Sequence, residues 1–323
     1  MKRRTMYNQF NEDKKREEII AQYYNTIMNR RGMDQVKEIV RKWELLRKNI
    51  GVFPSDEAVL LPEYLWVSRS GTGKTEMLQL LAGYLDAAQL MPFSGMEKVI
   101  EYKLNYCSPE APFDELDELI RYLSVSSGYR NEFKGILAVN VDNWLHNLNN
   151  PHFIDFVEFL AEHNQSLLLI LIASPEEEYL EELENILSLY LRIHRVDINM
   201  PDVDGMMDFF SEKLDKYHCR LSEDAENLVR ETLEIMKDLD GFDGYKTLEF
   251  MVQEIVYNFF CSDHITSRII GTEYLGEYGA DGGLISRYRK RWNNKKKLQK
   301  GIIGFQPKGM IGQPINRNAW GKS

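Results

Sequence analysis

Leu65 to Leu85 reads LWVSRSGTGKTEMLQLLAGYL, and the order of its parts decides the fold. Leu65-Trp66-Val67 is a short apolar run with the pattern of a buried strand. Ser68-Arg69-Ser70-Gly71-Thr72-Gly73-Lys74-Thr75 follows, and then Met77, Leu78, Leu80, Leu81, Tyr84 and Leu85 recur at helical spacing. Strand, glycine loop and helix together are the setting of a phosphate-binding P-loop. Gly71 and Gly73 can take backbone angles that turn successive N–H groups inward. Those groups and the helix N-terminus attract phosphate oxygens. In such a loop Lys74 reaches the β- and γ-phosphates and the Thr75 hydroxyl ligates Mg²⁺. The candidate binding set is therefore Ser68, Ser70, Gly71, Thr72, Gly73, Lys74 and Thr75, with ATP and Mg²⁺ as the expected ligands. The usual pattern is G-x-x-x-x-G-K-[ST]; Ser68 stands in place of its first glycine, with the spacing to Gly73 intact.

The remaining composition narrows the class. A chain of 323 residues can hold two domains and a sizeable core. Its 43% apolar and 28% charged residues are ordinary for a globular protein. It has no apolar run of transmembrane length, and its first twenty residues are dense in charge, so neither a spanning helix nor a secretory leader is expected. Cys107, Cys219 and Cys261 lack metal-ligand spacing and read as reduced thiols of a cytoplasmic protein. The net charge is −10, yet from Gly282 onward there are eleven Lys/Arg and no Asp/Glu, which leaves the rest of the chain at −21. An acidic body with a basic tail suggests an interaction arm.

Outward from the P-loop, strands and helices alternate. Apolar or alternating runs predict strands at Val99–Tyr106, Ile136–Val141, Leu167–Ala173 and Val196–Met200. Helices are expected at Met33–Asn49, Phe113–Leu123, Phe153–Ala161 and Glu176–Leu189, with a break at Gly51–Pro54. With Leu65–Val67 this makes five strands, and the alternation argues a parallel, doubly wound α/β sheet. After Pro201 no strand pattern remains, and three helices are expected over Asp204–Tyr217, Ser222–Lys237 and Tyr245–Phe260, with Ser222 as a cap. The stripe Ile19, Ile20, Tyr23, Tyr24, Ile27 and Met28 predicts an amphipathic N-terminal helix, packed on the body or on another subunit. The expected domains are an N-terminal extension (1–31), a nucleotide-binding α/β domain (32–201), a small helical lid (202–262) and a glycine-rich, basic tail (263–323).

An α/β P-loop domain followed by a helical lid resembles an AAA+ protein. Met33-Asp34-Gln35-Val36-Lys37 is similar to the Gly-Leu-Asp-x-Val-Lys element of the CbxX/CfxQ group. That group includes red-type Rubisco activases, stage V sporulation protein K-like ATPases and the ATPases that accompany type VII secretion. Leu168–Glu177 resembles the group's V-I-L-A-G-Y-P-D-E segment, and Ile198-Asn-Met-Pro-Asp its Ile-Glu-Phe-Pro-Asp. The likeness covers about Arg31 to Phe260. It implies a five-stranded parallel sheet sandwiched by helices with a helical lid, assembly with other AAA+ subunits, ATP/ADP as ligand, and a protein client.

The resemblance also assigns roles. The family's third strand ends in Asp-Glu, the aspartate supporting Mg²⁺ and the glutamate activating water. Here the preferred register puts Asn140 and Val141 at that pair, because Ile136-Leu-Ala-Val139 then ends where the strand should end, and a slide of two puts Asp142 and Asn143 there. Neither supplies the glutamate, so this Walker B motif is degenerate and water activation is expected to be weak. Ser174 falls at the polar sensor, Arg192 at the arginine finger for a neighbour's γ-phosphate, and Lys246 at the lid's phosphate sensor. The pore-loop segment Cys107–Phe113 keeps only Phe113 and has no glycine. The pattern implies an ATP-binding subunit that hydrolyses weakly or not at all and serves a ring as regulator or scaffold. An active remodelling ATPase with Asp142 as Mg²⁺ partner is the alternative. Arg287–Lys300, with eight basic residues around Tyr288 and Trp292, is compatible with nucleic acid or with a docking partner.

Overall fold

The computed structural model describes residues 2–52, 59–94, 97–104, 133–162, 167–175, 177–239, 242–263, 265, 267–275 and 283. The helix expected at Phe113–Leu123, the segment Cys107–Phe113 and the basic run Arg287–Lys300 lie outside them.

Five strands form one parallel sheet: β1 (Glu63–Ser68), β2 (Val99–Lys103), β3 (Gly135–Asn140), β4 (Leu167–Ala173) and β5 (Ile193–Ile198). Their order is β2-β3-β4-β1-β5. Every pairing is parallel, and the described connections β1–β2, β3–β4 and β4–β5 each carry a helix, as parallel neighbours require a crossover rather than a hairpin. β5 begins three residues before the Val196 start expected from sequence, because it pairs along the whole of β1, from Glu63↔Ile193 to Ser68↔Ile198.

Side-chain alternation builds two cores. On one face Leu65, Val67, Leu137, Val139, Leu169 and Leu171 pack with α4 (Pro151–Glu162) and α5 (Glu177–Tyr190) through Phe153, Phe156, Leu183 and Leu187. On the other, Tyr64, Trp66, Ile136, Ala138, Leu168 and Ile170 pack with α1 (Lys2–Asn29), α2 (Asp34–Val52) and α3 (Lys74–Ala88). β1 and β4 are buried along nearly their whole length, which explains the unbroken apolar runs in the sequence. α2 continues through Gly51 to Val52, where a break was expected. The N-terminal stripe packs on the body: Ile20 and Ile27 are buried, and Arg16 Nε donates to the Ala87 carbonyl of α3 at 2.8 Å.

The chain divides into two compact units, Met1–Phe210 with Asp243–Phe250, and Ser211–Phe242 with Met251–Ser323. The helices that follow β5 are α6 (Val203–Asp215), α7 (Glu223–Met236) and α8 (Gly244–Phe260). In the second unit Ser222 caps α7, its hydroxyl accepting from Ala225 N at 3.3 Å. That unit also contains a short parallel pair, β6 (Arg220–Leu221) with β7 (Ile269–Ile270). Strands of two residues leave no periodicity to read, so the expectation of no strand after Pro201 is corrected here. Among the described residues no helix is long and apolar enough to cross a membrane.

Candidate nucleotide site

The P-loop lies at the carboxyl end of β1, beside the point where the chain's crossovers change from one face of the sheet to the other. Open parallel sheets bind ligands at such a place. Ser68 is the last residue of β1 and is buried; its Oγ lies 2.8 Å from Thr72 Oγ1, itself buried. The serine that replaces the usual glycine thus ties the loop across its base. Ser70 is exposed in the turn. Gly71 and Gly73 have φ of 78° and 87°, in the left-handed region that favours glycine. Gly71 is also constrained by contact: a Cβ there would lie 1.8 Å from the Asp243 carbonyl oxygen. The Tyr245 N–H donates to the Gly71 carbonyl at 2.8 Å, and Gly244, at φ 50°, permits the same close approach from its side.

Lys74 opens α3 and folds back into the loop. Its Nζ donates to Ser68 Oγ at 3.2 Å and to the Arg69 carbonyl at 2.5 Å. Burial pushes the pKa of this ammonium down, while the carboxylates of Asp142, Asp243 and Glu101 oppose the shift. The Thr75 hydroxyl donates to Glu101 Oε2 at 2.9 Å.

The tips of β3 and β4 supply the facing side. Asn140 ends β3. Val141 is wholly buried in the core, and its N–H donates to the Ile172 carbonyl at 2.9 Å. Asp142 carries the charge. It accepts from Ser174 N at 2.5 Å, Ser174 Oγ at 2.9 Å and Asn140 Nδ2 at 3.1 Å. Asn143 Nδ2 donates to the Leu104 carbonyl at 3.0 Å. The fold thus joins Asn140, Asp142 and Ser174 in one network and puts the Asp142 charge within electrostatic reach of Lys74.

Arg192 and Lys246 are placed otherwise. Arg192 precedes β5, at the amino ends of the strands, opposite the loop; its N–H donates to Glu63 and its guanidinium to the Leu60 carbonyl. Lys246 is exposed on the first turn of α8, and the closer contacts to the loop come from Asp243, Gly244 and Tyr245.

Sequence reading missed Glu101, Asp243 and Tyr245. Glu101 had a signal: strand alternation puts it on the same face as buried Val99, toward α3. Asp243 and Tyr245 had none, because they lie about 170 residues beyond the loop and only the fold brings the Asp243 carbonyl to Gly71 and the Tyr245 ring to Gly73. Beside Gly73 lies a cavity of about 60 Å³ lined by Met33, Met77, Phe209 and Tyr245 among others. The Phe209 and Tyr245 rings are 4.6 Å apart. Ion pairs from Arg30 to Glu76 and from Arg31 to Asp208 fix the segment that borders the cavity.

The donor set suits Mg²⁺. Thr75, Glu101 and Asp142 offer hard oxygens. Among the described residues no three acidic, His or Cys side chains converge on one point. Mg²⁺ is commonly held this way, by one or two carboxylates together with substrate phosphates and water.

No family model matches this chain, and no curated protein does. Among solved structures, a variant of Thermotoga maritima RuvB is similar at TM-score 0.47 and 11% identity, over 77% of this chain and 69% of that one. The Thermotoga maritima RuvB Holliday junction branch migration motor gives 0.45 and 12%, over 74% and 66%. Domain III of the Thermotoga maritima replication initiation protein DnaA gives 0.41 and 16%, over 68% and 84%. These likenesses are loose, and the fold stands on its own strand order and loop: a five-stranded parallel P-loop sheet between layers of helices.

Proposed function

We propose that this chain is an ATP-binding subunit of AAA+ type that holds Mg²⁺–ATP at Lys74 and Thr75 and hydrolyses it slowly. It serves a cytoplasmic ring-type assembly as regulator or scaffold, with residues 202–262 as its lid. The observation that carries this reading is the tip of β3. Asp142 is engaged by Ser174 and Asn140, and the next side chain is an asparagine bonded to the Leu104 carbonyl. An amide is a poor base, so the β3 tip offers metal support without a group to activate water.

Lys74 and Thr75 would hold the phosphates and the ion, with Asp142 supporting the ion. Mg²⁺ when bound would neutralise the phosphate charge. Ser174 keeps the Asp142 carboxylate oriented, and Ser68 with the Arg69 carbonyl keeps the Lys74 ammonium at the loop. Arg192 lies too far from Lys74 to serve its own chain, so its role as a finger requires a neighbour.

A working ATPase is the second reading, favoured by an Asp142 carboxylate that Ser174 holds at the site within electrostatic reach of Lys74. Asp142→Ala separates the two. Under slow hydrolysis, wild-type turnover is already close to that of Lys74→Ala, and Asp142→Ala weakens Mg²⁺–ATP binding with no robust turnover to lose. If the variant abolishes a robust wild-type turnover, the second reading takes its place.

A further inference from the structure

The carboxylate of Glu101 belongs to β2, which β3 and β4 separate from the P-loop strand β1 in the sheet order, yet it meets the P-loop threonine. β2 pairs with β3 so that Glu101 is opposite Ala138, and the alternation that buries Val99 beneath α3 also turns Glu101 toward that helix's first turn. There its Oε2 accepts the Thr75 hydroxyl proton at 2.9 Å, and its charge acts on the Lys74 ammonium together with that of Asp142. β2 and the turn that follows its neighbour β3 therefore present one carboxylate each to the P-loop.

We infer that Glu101 is a Mg²⁺-positioning residue, which supplies from β2 the second carboxylate that the β3 tip lacks. The inference rests on the reading of this loop as a Mg²⁺–nucleotide site. A threonine hydroxyl that donates its proton to Glu101 keeps its oxygen lone pairs for a cation. The two carboxylates repel a bare triphosphate and attract one that carries Mg²⁺. The site then discriminates between free and metal-bound nucleotide by charge, which suits a subunit that retains its ligand.

The experiment measures the affinity of a non-hydrolysable ATP analogue with Mg²⁺ and with EDTA, for wild type, Glu101→Gln, Glu101→Asp and Lys74→Ala. Glutamine keeps the size of the side chain and removes the charge. The expected result for Glu101→Gln is a loss of about 10- to 100-fold with Mg²⁺, and an unchanged or tighter affinity with EDTA. Glu101→Asp should recover part of the Mg²⁺ effect. Equal weakening in both conditions would reduce Glu101 to a structural support of Thr75 and overturn the inference, and so would no change in either. A wild-type chain that does not bind the analogue, or binds it as well after Lys74→Ala, would instead overturn the nucleotide reading. Each variant's thermal melting is compared with wild type, and Glu101→Asp provides the second measurement should Glu101→Gln not fold.

Discussion

At the scale of single residues, the site depends on atoms that nearly touch. Gly71 combines a left-handed φ of 78° with a backbone contact that leaves no room for a methyl group. Gly71→Ala should therefore lower stability by at least ~2 kcal/mol and abolish nucleotide binding, read from the urea midpoint and from calorimetry. Glu44 is the other informative residue. Burial alone would raise its pKa, but hydrogen bonds from Arg47, Tyr84 and Lys48 outweigh it and lower the value from 4.5 to about 2. Above about pH 4.5 the group is ionised folded or unfolded, and its contribution to stability is complete. As pH falls from there toward 2, the unfolded chain takes up the proton first and the contribution is lost. Glu44→Gln should cost about 1 kcal/mol at pH 7, allowing for solvent screening, and almost nothing near pH 2; chemical denaturation across that range checks it. The loop residues stood out in the sequence because two glycines, a lysine and a threonine at fixed spacing between a strand and a helix form a pattern of their own. Glu101 was not singled out, because one acid in an alternating strand looks like any solvated position until the helix opposite is known.

At the scale of elements, the sequence was most legible where burial is one-sided or complete. Leu167–Ala173 was readable to the residue as β4, since a strand covered on both faces has no polar position. The start of β5 was obscured by His194 and Arg195, exposed residues within a strand whose length is set by its partner β1. The pair β6–β7 was illegible because two residues carry no period. The packing of α1 on α3 depends on a glycine whose role only the structure gives: a Cβ at Gly83 would lie 2.4 Å from the Tyr23 ring. Gly83→Ala should destabilise the chain by about 1–3 kcal/mol despite the better helix propensity of alanine. Adding Tyr23→Ala should recover part of that loss, and a double-mutant cycle in urea would measure the coupling.

At the scale of the whole molecule, the distribution of charge separates two tasks. The candidate nucleotide site lies in the unit that contains the five-stranded sheet, whereas the basic run is confined to the last forty residues. Deleting residues 284–323 should leave nucleotide affinity unchanged. If the tail binds nucleic acid, the same deletion should remove a salt-dependent interaction with a single-stranded oligonucleotide, read by fluorescence anisotropy at about 50 and 200 mM salt. An interaction of equal strength and salt slope after deletion would exclude the tail from that role.

The most direct test of slow hydrolysis combines equilibrium ATP binding with steady-state turnover in the same Mg²⁺-containing samples of purified protein, with Lys74→Ala as control. The expected result is binding that Lys74→Ala abolishes, with turnover below ~0.01 s⁻¹, the range of P-loop proteins that lack full water activation. Turnover of order 1 s⁻¹ or faster that Lys74→Ala removes would contradict it.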